Sequence, residues 1–233
     1  MDKKEQSHEF PLTSKSDKKP LEGLRVIDAG NMVAAPFATV LLADLGAEVI
    51  KLEHPENGDG QRKLEPITDK GIPLWWKSIA RNKKCITLNL GKPKGAEIFK
   101  ELCRDADVVV ENLRPGAMDK IGLNFDNLSQ SNSRLIWAVI SGFGQLKGYR
   151  GPYSDRPAFD IVAEAMSGIM HQVGYADKPP SWTIYGMADV YTGMVTAYGV
   201  MQALFMRERT GKGQLIDSAM FDNMLSLNES MVA

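Results

Sequence analysis

Apolar positions along the chain change period repeatedly, from short runs rich in β-branched residues to longer stripes spaced three and four apart. After residue 21 this alternation predicts an α/β fold on a mostly parallel, Rossmann-like sheet. Strands are expected at 24–28, 48–53, 84–90, 107–112, 134–140 and 215–220. The run 84–90 alternates with period two, as a half-buried strand would, whereas 107–112 and 134–140 are near-continuous apolar runs of central-strand type. A helix fits 36–45, where Pro36 suits a first turn. A second fits 94–106, with Ile98, Phe99, Leu102, Cys103 and Ala106 on one face. A long one fits 189–209, with Val190, Met194, Ala197, Tyr198, Met201, Leu204 and Phe205 as its stripe and Gly211 as its stop.

Ligands of open parallel sheets lie beyond the carboxyl ends of the strands, which directs the search to loops 29–36, 112–116 and 141–144. In the second, Asn112 and Arg114 are fixed by Pro115 and Gly116, and a ligand-binding turn and a plain structural turn both fit. Gly142, Gly144 and Gly148 have GxGxxxG spacing and no helix follows, so a plain turn is expected. Arg81, Lys83 and Lys84 read as a solvated basic face, with phosphate binding as the alternative. His54, just after the second strand, reads as a surface residue. Asp189 stands before the stripe of the longest helix, where an Asp is an ordinary N-cap, and a carboxylate there is also oriented and held ionised.

Composition narrows the class. With 43% hydrophobic and 24% charged residues the chain is neither disordered nor fibrous, and 28 Lys+Arg against 29 Asp+Glu leave no global field for nucleic acid or an anionic membrane. Two cysteines without CxxC spacing, Cys85 and Cys103, make no disulfide scaffold. The scattered His8, His54 and His171 make no metal site, so none is expected. No apolar run has signal-peptide character or approaches the roughly 18 residues of a spanning helix, so a cytoplasmic protein is expected. Residues 1–20, with five lysines, four acids and two prolines, read as a disordered tail.

Segments 20–28, 43–53, 82–90, 106–116, 140–144, 188–189 and 209–214, taken in order, resemble the family III CoA-transferases of CaiB/BaiF type. The resemblance implies that 21–233 is a CoA-binding Rossmann-like large domain, and that the enzyme moves coenzyme A from an acyl-CoA donor to a carboxylic acid. It implies Asp189 as the nucleophile, passing through an aspartyl anhydride and an aspartyl-CoA thioester. CoA contacts are implied at Val33, Ala34, His54, Leu88, Asn112, Leu113, Arg114 and Lys120, with Arg114 and Lys120 as phosphate partners. Coenzyme A and acyl-CoA enter as substrates, with no permanently bound cofactor.

Members of the family continue into a second domain and a return segment, so the chain is expected to be truncated. They form interlocked dimers, which implies a homodimer or a related heterodimer for the complete protein. Racemases of the same superfamily carry a histidine where this chain has Phe159, which favours transfer over racemisation. A non-catalytic CoA-binding subunit is the third alternative.

Overall fold

The computed structural model describes residues 18–229, so the expected tail lies outside the described residues as far as residue 17, His8 included. The sheet strands are β1 (Arg25–Asp28), β2 (Glu48–Glu53), β3 (Lys83–Thr87), β4 (Val108–Glu111), β5 (Ile136–Ser141) and β6 (Leu215–Ala219). All pair in parallel, in the order β3-β2-β1-β4-β5-β6. That is the doubly wound order of dinucleotide-binding sheets, with its switch point between β1 and β4.

Successive side chains of a strand point to opposite faces, and the core divides accordingly. Val26, Val49, Val108, Val110, Ile136, Ala138 and Ile140 pack against α1 (Ala34–Asp44), α6 (Asp160–Met166), α8 (Met187–Thr210) and α9 (Met220–Leu227). Ile27, Leu52, Val109 and Trp137 face α3 (Pro93–Arg104), α4 (Ala117–Lys120) and α5 (Phe125–Leu128). Two further short helices, α2 (Leu74–Ile79) and α7 (Ile169–Gln172), lie in the long connections. Among the described residues no helix is long and apolar enough to cross a membrane.

Two elements depart from expectation. The strand expected to be half-buried over 84–90 is β3, an edge strand that ends at Thr87 and leaves Lys84 to Thr87 exposed, because it has a neighbour on one side only. The stripe of α8 is split. Ala197 and Leu204 are buried beside Gly193, Thr196, Val200 and Ala203, whereas Met194, Tyr198, Met201 and Phe205 are exposed.

The reason for the split is the close approach of α8 to α1. A Cβ on Gly193 would stand 2.7 Å from the Ala34 carbonyl oxygen and 3.1 Å from Phe37 Cδ1, so small residues must face α1 and bulky ones turn outward. Gly193→Ala should therefore lower stability by about 1–3 kcal/mol in urea unfolding, although alanine is the better helix former by about 1 kcal/mol. Stabilisation by the substitution would show that the two helices can separate without cost.

Candidate functional site

Reversal of strand order between β1 and β4 makes the loops leaving them diverge, opening a crevice beyond their carboxyl ends. Asn112 ties the two loops together. Its Oδ1 accepts from the Asn31 N–H at 2.8 Å, and its Nδ2 donates to the Asn31 carbonyl at 2.9 Å. The side chain singled out as a ligand contact is thus also a brace across the switch point.

Two cavities lie on either side of this brace. One, of about 200 Å³, is lined by Gly30, Asn31, His54, Leu88 and Leu113. The other, of about 270 Å³, is lined by Asn31, Ala34, Asn112, Leu113, Arg114 and Gly142, and also by Phe159 and Asp189. Asn31 and Leu113 belong to both, so a long ligand spanning the two would cross the saddle they form. Six of the eight expected contact residues therefore line these two adjoining cavities, the second of which Asp189 also lines.

Val33 and Lys120 line neither cavity. The Val33 side chain is buried at the entrance of α1, and Lys120 is exposed at the end of α4. Arg114 is exposed, and no carboxylate among the described residues pairs with it. It also borders a third cavity, of about 460 Å³, floored by Trp137 and Val139 on the opposite face of the sheet. Among the described residues no three His, Cys, Asp or Glu side chains converge to hold a metal ion.

Asp189 is not the N-cap. That position belongs to Gly186, at φ +82°, and Asp189 sits in the first turn of α8. The helix end is capped from outside by Asp160, a buried residue at the start of α6. Its Oδ1 accepts from the N–H groups of Ala188 (2.7 Å) and Asp189 (3.1 Å), and its Oδ2 from that of Gly186 (3.3 Å). The Asp189 side chain is thereby left free of capping duty and points into the cavity.

Its charge state also differs from that of an exposed aspartate. Burial, followed by the nearby Asp160 carboxylate, pushes the Asp189 carboxyl up to about 7, so it is only partly ionised at neutral pH. Beyond Asp160 stands Glu164, fully buried, which accepts from Trp182 Nε1 (3.1 Å) and Thr183 Oγ1 (2.6 Å) and is itself raised by burial. Above Gly186, Tyr185 packs edge-on against Trp75 at 5.2 Å and against Trp182 at 6.0 Å, forming an aromatic collar beside Asp189.

The sequence did not single out Asp160, Trp75 or Tyr185. Asp160 had only its spacing of 29 residues from Asp189, and no local pattern links residues that far apart. The basic set is a solvated face at two of its three positions, where Arg81 pairs with Asp44 and Lys84 with Glu48 at the surface. It is corrected at the third, since the Lys83 side chain is buried on Asp28 at 2.9 Å. Gly142 to Gly148 form a turn, as expected, with Gly144 at φ +77° and Gly148 at φ +91°.

A family model described as CoA-transferase family III matches residues 21–233. The chain is 44% identical over 217 residues to the succinyl-CoA–L-malate CoA-transferase beta subunit of Chloroflexus aurantiacus, covering 91% of this chain and 52% of that protein. It is 43% identical over 217 residues to the acetyl-CoA:oxalate CoA-transferase of Acetobacter aceti, covering 92% and 54%. The crystal structure of a CaiB/BaiF family protein from Brucella suis superposes with a TM-score of 0.85 at 38% identity, over 92% of this chain and 57% of that one. The chain spans about half the length of the curated relatives it matches.

Proposed function

Because this chain belongs to the family III CoA-transferases, we propose that its crevice binds an acyl-CoA and that Asp189 carries the acyl and CoA groups in turn. The observation that supports this reading is the position of Asp189. A half-buried carboxyl, released from helix capping by Asp160, lines one of two adjoining cavities that together hold six of the residues expected to touch CoA.

The chemistry follows from that geometry. The ionised Asp189 carboxylate attacks the thioester carbonyl carbon, the C–S bond breaks, and a mixed anhydride and CoA thiolate result. The thiolate then attacks the aspartyl carbonyl, which expels the donor acid and leaves an aspartyl-CoA thioester. The acceptor carboxylate reverses both steps and regenerates the Asp189 carboxylate, with no net proton uptake. Each tetrahedral intermediate bears an oxyanion that needs hydrogen-bond donors. Three N–H groups at the start of α8 already serve Asp160, so those donors come from outside this helix.

Phe159, which lines the same cavity and is 77% exposed, offers only a hydrocarbon ring. A two-base racemisation needs a proton carrier on each face of the α-carbon, so we read the chain as a transferase. One relative is named as a beta subunit, and assembly of this chain with a second copy or a related chain is part of the proposal. The test is to supply succinyl-CoA with a panel of short carboxylic acids, with and without candidate partner chains, and to follow the new thioester by mass spectrometry. Hydrolysis or α-proton exchange without CoA transfer to any acid would refute the reading.

Arg114 has a separate expected role. An unpaired guanidinium at the mouth of the crevice can fork onto phosphate oxygens. In the active enzyme Arg114→Ala should raise KM for CoA thioesters about tenfold or more and leave kcat within about threefold. An unchanged KM would place Arg114 in the turn as a structural residue.

A further inference from the structure

Beneath the saddle between the two cavities lies a group of buried charges, of which only Asp59 borders a cavity, the one beside His54. Lys51, in the middle of β2, and Asp28, at the end of β1, have side chains 1% and 0% exposed, and Asp59 is equally buried. Lys51 Nζ stands 2.9 Å from Asp59 Oδ2 and 3.5 Å from Asp28 Oδ1, and donates to the Gly30 carbonyl at 2.5 Å. Lys83 Nζ completes the set, 2.9 Å from Asp28 Oδ2 and donating to the Pro36 carbonyl at 2.6 Å. Two cations and two anions balance, which is the condition for keeping such groups out of water. Burial alone would push Asp28 up, but Lys51 and Lys83 outweigh it and hold that carboxyl at about 2.

What this quartet holds is the loop at the saddle. Gly30 donates to Asp28 Oδ1 at 3.1 Å, and Met32 donates to Asp59 Oδ1 at 3.2 Å. Met32 has φ +62°, a left-handed conformation that a side chain bearing a Cβ adopts only under constraint. Asn31, between them, receives the Gly60 N–H on Oδ1 at 3.0 Å and makes the two backbone hydrogen bonds to the Asn112 side chain. Asp28, Lys51 and Asp59 therefore hold the backbone of residues 30–32, which borders both cavities.

We infer that Lys51 and Asp59 act as positioning residues for coenzyme A, holding Asn31 and Met32 in the one backbone conformation over which the ligand can pass from the His54 cavity to Asp189. The inference rests on the CoA reading above. The variant that tests it is Lys51→Met combined with Asp59→Asn, which removes one charge of each sign and leaves Asp28 with Lys83. Hydrogen–deuterium exchange of the Asn31 and Met32 amides is read alongside the Kd for coenzyme A by calorimetry.

The expected result is about tenfold or faster exchange at Asn31 and Met32, unchanged protection in α8, and a Kd about tenfold or more weaker. In the active enzyme KM for the thioester should rise with kcat kept. A residue of purely structural worth would lower the melting temperature and leave the Kd of the folded protein where it was. Wild-type exchange at both amides, or faster exchange with a wild-type Kd, would overturn the inference. If the double variant does not fold, Asp59→Asn alone, which is isosteric, is read in the same way. Failure of the wild-type chain to bind coenzyme A would count against the CoA reading, and the amide exchange would still decide whether the ion pair holds the loop.

Discussion

Asp189→Asn should lower CoA transfer on the order of 10⁴-fold or more while making the fold more stable above neutral pH. The loss of rate follows from replacing an anionic nucleophile by a neutral amide of the same size in the cavity that Asp189 lines. The gain in stability follows from the charge state. The folded protein holds the Asp189 carboxyl up at about 7, through burial first and Asp160 second, against an ordinary value of 3.8. Below about pH 4 both folded and unfolded chains carry the proton, and Asp189 costs nothing relative to Asn. As pH rises toward 7 the unfolded chain releases its proton and the folded chain does not, so the cost of folding grows and then levels off.

Because the side chain is half-buried, the full cost is about 2 kcal/mol. Chemical denaturation at pH 3 and pH 8 should show Asp189→Asn gaining on the wild type only at the higher pH. In the same experiment, acyl-CoA followed by hydroxylamine should leave a hydroxamate on the peptide bearing Asp189 in the wild type and none in the variant. Retained turnover in Asp189→Asn, or an adduct on another carboxylate, would remove Asp189 from the mechanism.

The second large effect is on the pH profile. With Asp189 titrating near 7, kcat/KM should fall about tenfold for each unit below pH 6.5, because the protonated carboxyl is no nucleophile. Asp160→Asn keeps an acceptor for the N–H groups of Ala188 and Asp189 and removes the like charge beside the Asp189 carboxyl. The acid limb should then move to lower pH by about one unit. A limb that stays where it is would show that burial alone raises Asp189. A collapse of kcat at every pH would show instead that the Asp160 carboxylate takes part in the chemistry.

Local pattern was enough for the strands. The apolar runs at 107–112 and 134–140 read as central strands, and β4, buried throughout, and β5, buried except at Val139, lie there. Alternation of strands and stripes determines a parallel α/β sheet, and the polar residues at strand ends determine where a crevice must open. From its place before the longest helix Asp189 reads as a cap, and only the resemblance to the family implied its role as nucleophile. The ordered motifs in turn identified the family.

Burial and partnership needed the tertiary structure. Whether Met194 or Gly193 faces inward on α8 depends on how closely α1 approaches, which the spacing of apolar residues cannot express. Lys83 looks the same in sequence as Lys84, yet one is buried on Asp28 and the other lies at the surface, because successive side chains of β3 point to opposite faces and only the Lys83 face is covered by α1. The capping of α8 moved from Asp189 to Asp160 for a similar reason. A carboxylate 29 residues away in the chain reaches the helix end through space, and the residue in the first turn, relieved of that task and deprived of water, acquires the raised pKa that its sequence position does not contain.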